Sequence, residues 1–155
     1  MDIEKLKKEY AVLEKKHKLP SFSELNSAFE IEKIDDETEL LAKNIRKTMI
    51  EKILNSLSWL EMLISQMNAP RLYQPYFSVV NVKDRENITK IYDKLGALSL
   101  TSLSLDIDSN ENKECDAIKE FYSAWKSVKP SLMQVVDSIR NPPSTSTKKE
   151  RNYFG

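Results

Sequence analysis

The stretch LLAKNIRKTMIEKILNSLSWLEMLISQMN, Leu40 to Asn68, decides the fold class. Leu41, Ile45, Met49, Ile53, Leu57, Leu60, Ile64 and Met67 recur at steps of three and four, and Leu40, Ile50, Leu54 and Leu63 widen the stripe. Such steps place side chains on one face of an α-helix, and a stripe this broad can serve more than one neighbour. Asp36 and Glu39, three residues apart, read as a capping signal just upstream. A helix running from Asp36 to Asn68 would be about 50 Å long at 1.5 Å per residue. That exceeds the width of a small domain. The reading therefore predicts an elongated bundle, or a helix shared with a second copy in a homodimer.

Upstream, Ile3, Leu6, Tyr10, Leu13 and His17 mark an amphipathic helix over about Asp2 to Lys18, which Pro20 ends. Ser21 and Glu24 form an S-x-x-E capping box before a short helix offering Phe22, Leu25, Ala28 and Phe29 for packing. Downstream, Ala69 to Asn81 carries Pro70 and Pro75 with Tyr73, Tyr76 and Phe77, the composition of an ordered connection packed by its own rings. Asp84 is placed to cap a helix bearing Ile88, Ile91, Tyr92, Leu95 and Leu98. The leucines at 98, 100, 103 and 105 with Ile107 partly alternate, as in a strand. A lone strand would have no partner, so the helix is carried through Ile107.

Ile118, Phe121, Trp125, Val128, Leu132, Val135 and Ile139 keep helical phase straight across Pro130. One helix kinked at Pro130, with the Lys126 carbonyl freed, is expected from about Glu111 to Arg140. From Asn141 the chain reads NPPSTSTKKERNYFG, polar and short of core residues, which predicts a flexible tail. The expected fold is thus all-α. It is an elongated bundle of four to five helices in one domain, 1–140, followed by a tail, 141–155.

Composition agrees. Only two glycines, Gly96 and Gly155, occur in 155 residues, too few for the turns of a sheet protein of this size. Lysine plus arginine and aspartate plus glutamate both number 24, so the basic excess of a phosphate-binding protein is missing and a nucleic-acid partner is not expected. Cys115 has no second cysteine to pair with. MDIEKLKKEY alternates charges where a signal peptide would be apolar, and no run of apolar residues could span a membrane, which predicts a cytoplasmic protein.

LPSFSELNSAFEIEKI, Leu19 to Ile34, resembles the opening of small uncharacterised helical proteins of archaea. The resemblance implies a cytosolic setting and no particular activity.

The search for chemistry excludes more than it finds. Glu14 and His17 make a single E-x-x-H, half of what a di-iron bundle needs, and no other histidine exists. Cys115 lacks companion ligands for zinc. Asp106, Asp108, Asn110 and Asn112 imitate the start of a calcium loop, but Glu111 stands where its glycine should be and Ala117 where its bidentate glutamate should be. The stretch reads instead as a polar loop that caps the next helix. No glycine loop for phosphate and no nucleophile motif is present, so no cofactor is expected.

Glu111, Glu114, Asp116 and Glu120 could in principle hold magnesium for a helical hydrolase. Acidic residues in a first helical turn are, however, favoured by the helix dipole alone. Lys7, Lys8, Lys15, Lys16 and Lys18, and Lys43, Arg46, Lys47 and Lys52, form two basic groups diluted by glutamates, the pattern of solvated faces. A nucleic-acid-associated helical protein is the further alternative they leave.

The tail carries the most suggestive feature. Tyr153 and Phe154 follow Lys148, Lys149 and Arg151, a pair of rings behind a basic cluster suited to docking on a protein partner. Packing of the same rings on their own bundle is the competing reading. The functional expectation is a non-catalytic interaction or adaptor protein.

Overall fold

In the computed structural model of the chain, the described residues are 2–35, 37, 39–65, 70–77, 80 and 82–141. They form no strand, so the predicted all-α class holds, with six α-helices where four to five were expected: α1 Ile3–His17, α2 Phe22–Phe29, α3 Leu41–Ile64, α4 Gln74–Phe77, α5 Val82–Ile107 and α6 Glu111–Arg140. Single 3-10 turns at Ile31–Lys33 and Arg71–Tyr73 complete the chain path. No helix among the described residues is long and apolar enough to cross a membrane.

The three longest helices, α3, α5 and α6, pack pairwise on one another. Their directions follow from the partners they share. Arg46 meets Glu114 near the start of α3 and α6, and Lys52 lies over Trp125 further along both, so these two helices run parallel. Arg46 also bonds Ser102 near the end of α5, while Lys94 at the middle of α5 bonds Ser127 further along α6, so α5 runs opposite to both. Ile45, Met49, Ile53, Leu60, Ile88, Leu95, Ile118 and Phe121 are fully buried between them. Each such side chain contributes about 1.5–3 kcal/mol relative to exposure.

The α1–α2 pair covers one half of the α3/α6 face. Leu6, Tyr10 and Leu13 of α1 point inward, and the Tyr10 hydroxyl donates to the Pro20 carbonyl at 2.5 Å, fastening the turn into α2. The predicted capping box is formed, with the Ser21 hydroxyl accepting from the Glu24 N–H and the Glu24 carboxylate accepting from the Ser21 N–H. Phe29 then packs on Trp125 with ring centres 5.7 Å apart. Lys18 and Glu30 close α1 and α2 in the left-handed region, at φ 54° and 56°.

Three boundaries differ from the sequence reading. The start of α3 is not capped by Asp36 and Glu39: the helix begins at Leu41, behind an N-cap Leu40 that makes no side-chain bond. Asp36 lies outside the described residues. Glu39 reaches forward instead, accepting from Lys43 at 3.0 Å and Lys47 at 2.7 Å, and two cations hold a carboxylate better than one backbone N–H does. The helix stops at Ile64, so its 24 residues span about 36 Å, not 50. Its broad stripe packs mainly on α5 and α6 and also meets α1 and α2, while Leu54 and Ile64 stay exposed. Similarly, Asp84 sits in the first turn of α5 and not before it.

The leucine run was rightly kept helical. Leu95, Leu98, Ser102 and Leu105 share the buried face of α5, and Leu100, Leu103 and Ile107 share the exposed one, so apparent alternation is two helical stripes overlaid. In α6, Asn110 caps the N-terminus by accepting from the Lys113 N–H, and the helix continues through Pro130. Pro130 is exposed and supplies no N–H to the Lys126 carbonyl. Pro130→Ala is therefore expected to leave the melting temperature equal or higher, interior proline costing up to about 3 kcal/mol. A clear fall in melting temperature would contradict it.

Candidate functional site

The most densely connected polar group in the described residues lies where the three long helices meet. Arg46 of α3 is fully buried. Its Nε donates to Glu114 Oε2 of α6 at 2.6 Å, and its Nη1 to the Ser102 hydroxyl of α5 at 2.5 Å. Nη2 donates to Asp106 Oδ1 at 2.6 Å. Burial pulls the guanidinium pKa down, but the bonds to Glu114 and Asp106 outweigh it and leave it above its ordinary value. Glu114 is also fully buried, and its Oε1 has no hydrogen-bond partner among the described residues. One arginine thus ties three helices, at the cost of one unsatisfied carboxylate oxygen.

That arrangement disposes of the predicted acidic cluster as a unit. Glu111 turns away from Glu114 to the end of α1, accepting from Lys16 Nζ at 2.6 Å and lying 2.9 Å from His17 Nε2. The Lys16 and His17 contacts hold its carboxyl below the usual range. Asp116 pairs with Lys119 at 3.0 Å on an exposed stretch of α6. Among the described residues no three His, Cys, Asp or Glu side chains come together in a way that could hold a metal ion. His17 is accordingly a tie between α1 and α6, and Glu14 does not join it. The calcium-like stretch is likewise spent: Asp106 on Arg46, Asp108 on Lys113 at 2.7 Å, and Asn110 on the cap of α6. Cys115 is buried, and burial pushes its thiol up to about 11, so it is protonated and unreactive at neutral pH.

The basic groups are also largely engaged. Lys43 and Lys47 pair with Glu39, and Lys52 donates to the Ala28 carbonyl at 2.6 Å while lying over the Trp125 ring. Arg46 is not on a solvated face at all, which corrects its placement in a surface cluster. The predicted partner-binding residues Lys148, Lys149, Arg151, Tyr153 and Phe154 lie outside the described residues.

Sequence reasoning missed a surface. Beyond the reach of α2, the second half of the α3/α6 face is only partly covered. A shallow hollow there is lined by Lys52, Asn55, Ser56, Trp59, Leu132 and Val136. It shares Trp59 with a cavity of about 210 Å³ bounded by Trp59 and Met62 of α3, by Tyr73, Tyr76 and Phe77 in and beside α4, and by Ile139 of α6. Tyr73 and Tyr76 lie with ring centres 6.4 Å apart. Tyr76 is 43% exposed and Met133 nearby on α6 is 49% exposed. The signal was present in the connection Ala69 to Asn81, whose aromatics were read as packing only on themselves.

This is a helical bundle with an aromatic cavity at one end. No protein family, curated protein or solved structure matches the chain.

Proposed function

We propose that the protein is a non-catalytic helical adaptor that works in the cytoplasm and binds a protein partner through Tyr153 and Phe154, with Lys148, Lys149 and Arg151 favouring an acidic rim on that partner. The observation that carries this reading is the fate of Glu114. The carboxylate that a magnesium-dependent hydrolase would most need is fully buried and held by Arg46 at 2.6 Å. A metal entering there would have to displace a guanidinium bonded to three side chains.

The cheapest test against the hydrolase reading is isothermal titration of the intact chain with magnesium and manganese. The adaptor reading expects no binding in the micromolar range. Micromolar binding that Glu114→Ala abolishes would replace it with the hydrolase.

Self-association stays in the proposal through a different helix. α5 carries three of the exposed apolar side chains close together, Leu100, Leu103 and Ile107, at 69%, 57% and 81% exposure. A homodimer pairing there would scatter light with twice the mass of 18.0 kDa. A mass of 18.0 kDa at every concentration would remove it.

A further inference from the structure

We propose that the aromatic cavity at the end of the bundle is the seat of Phe154 of the same chain, so that the tail is held in cis until a partner displaces it. This deepens the adaptor reading and rests on its assignment of Tyr153 and Phe154 as the docking rings. Three observations lead to it.

The first is size and character. The cavity measures about 210 Å³ and is walled by Trp59, Met62, Tyr73, Tyr76, Phe77 and Ile139. An apolar cavity of roughly 150 Å³ is enough to accept benzene, so this one takes a single phenyl ring with room at its mouth. Phe154 has no hydroxyl that burial would strand, which favours it over Tyr153 for the inner position.

The second is reach. Ile139 forms part of the wall, and α6 ends one residue later at Arg140. Pro142 disfavours a helical Asn141 and so fixes the point at which the chain must leave the helix axis. Twelve residues lie between Asn141 and Phe154, a span of thirteen peptide steps. A chain of that length without regular structure averages about 20 Å end to end and can extend to about 45 Å. A return to a cavity beside its own starting point lies well within that range. Because the ring is tethered, its effective concentration at the cavity is of order millimolar, which no free ligand of equal affinity matches in dilute solution.

The third is charge. Glu61 lines an adjoining hollow together with Met62, which also walls the cavity, and so puts an acid in the neighbourhood of the cavity. Lys148, Lys149 and Arg151 precede the rings at three to six residues, close enough to meet it.

The test uses the two tryptophans of the intact chain. Trp59 walls the cavity and Trp125 lies under α2, so 5-fluorotryptophan labelling gives one fluorine signal at the seat and one remote from it. Trp59→Phe assigns the lines. Phe154→Ala is expected to shift the Trp59 line, leave the Trp125 line in place, and do so equally at every protein concentration. Tyr153→Ala is expected to move the Trp59 line less. An unmoved Trp59 line in Phe154→Ala overturns the proposal. A Trp59 shift that fades on dilution overturns it too, since a second copy would then be supplying the ring. Partner recovery is scored separately: an unmoved line with partner recovery lost leaves the adaptor reading standing without the cis seat. A moved line with recovery retained keeps the seat and removes the rings as the partner's contact.

Discussion

Arg46→Met is expected to cost about 3–5 kcal/mol, the loss that follows when one partner of a buried ion pair is removed. The substitution fills similar volume but leaves the Glu114 carboxyl fully buried and without the guanidinium that held it. Asp106 suffers less, because its side chain is 49% exposed and water can replace the guanidinium. For a domain with 5–15 kcal/mol of total stability, the loss is a large fraction, and the melting temperature should fall by roughly 10 °C or more. Glu114→Leu alone should also be costly, since it strands a buried guanidinium on Ser102 and one half-exposed carboxylate.

The informative variant is the double one. Arg46→Met with Glu114→Leu removes both buried charges and the unsatisfied Oε1 together, and such replacements are often neutral or stabilising. Denaturant midpoints at unchanged m-value should therefore show the double variant recovering most of the single-variant losses. Losses that simply add would mean that the pair does not act as a unit. The same logic says why the node is worth its cost. Three apolar stripes can slide by a helical turn against one another, whereas an arginine bonded across three helices allows one register.

Each member of that node was legible in principle. Arg46 keeps step with Ala42, Met49 and Ile53 on the buried stripe of α3, Ser102 with Leu95, Leu98 and Leu105, and Glu114 with Ile118, Phe121 and Trp125. A cation, an anion and a hydroxyl each standing in phase with an apolar stripe are candidates for one another. Charge counting along the chain instead grouped Arg46 with its surface lysine neighbours and Glu114 with its acidic ones, which hides the phase. Periodicity succeeded where propensity was ambiguous: it carried α6 through Pro130 and α5 through Gly96 and the leucine run. It failed at the start of α3, because a capping motif is local and Glu39 found stronger partners one and two turns on. The cavity was legible only in the aromatics of its connection, because its full wall combines Trp59, Tyr73 and Ile139, residues far apart in sequence that only the packing of α3, α4 and α6 brings together.

The second large effect belongs to the tail and tests the adaptor claim itself. Tyr153→Ala with Phe154→Ala removes two rings whose burial in a partner's groove is worth about 1.5–3 kcal/mol each. Phe154 must leave its seat in cis to bind, so the net loss is chiefly that of the Tyr153 ring, about 1.5–3 kcal/mol, or roughly a tenfold or greater weakening of binding. The helices of the described residues lie within residues 3–140, away from both substitutions, so helicity measured by circular dichroism should be unchanged. The measurement is recovery of bound protein from native lysate by the intact chain and by the double-alanine chain, side by side. The account predicts a partner recovered by the first and lost by the second at equal helicity; equal recovery by both would contradict it.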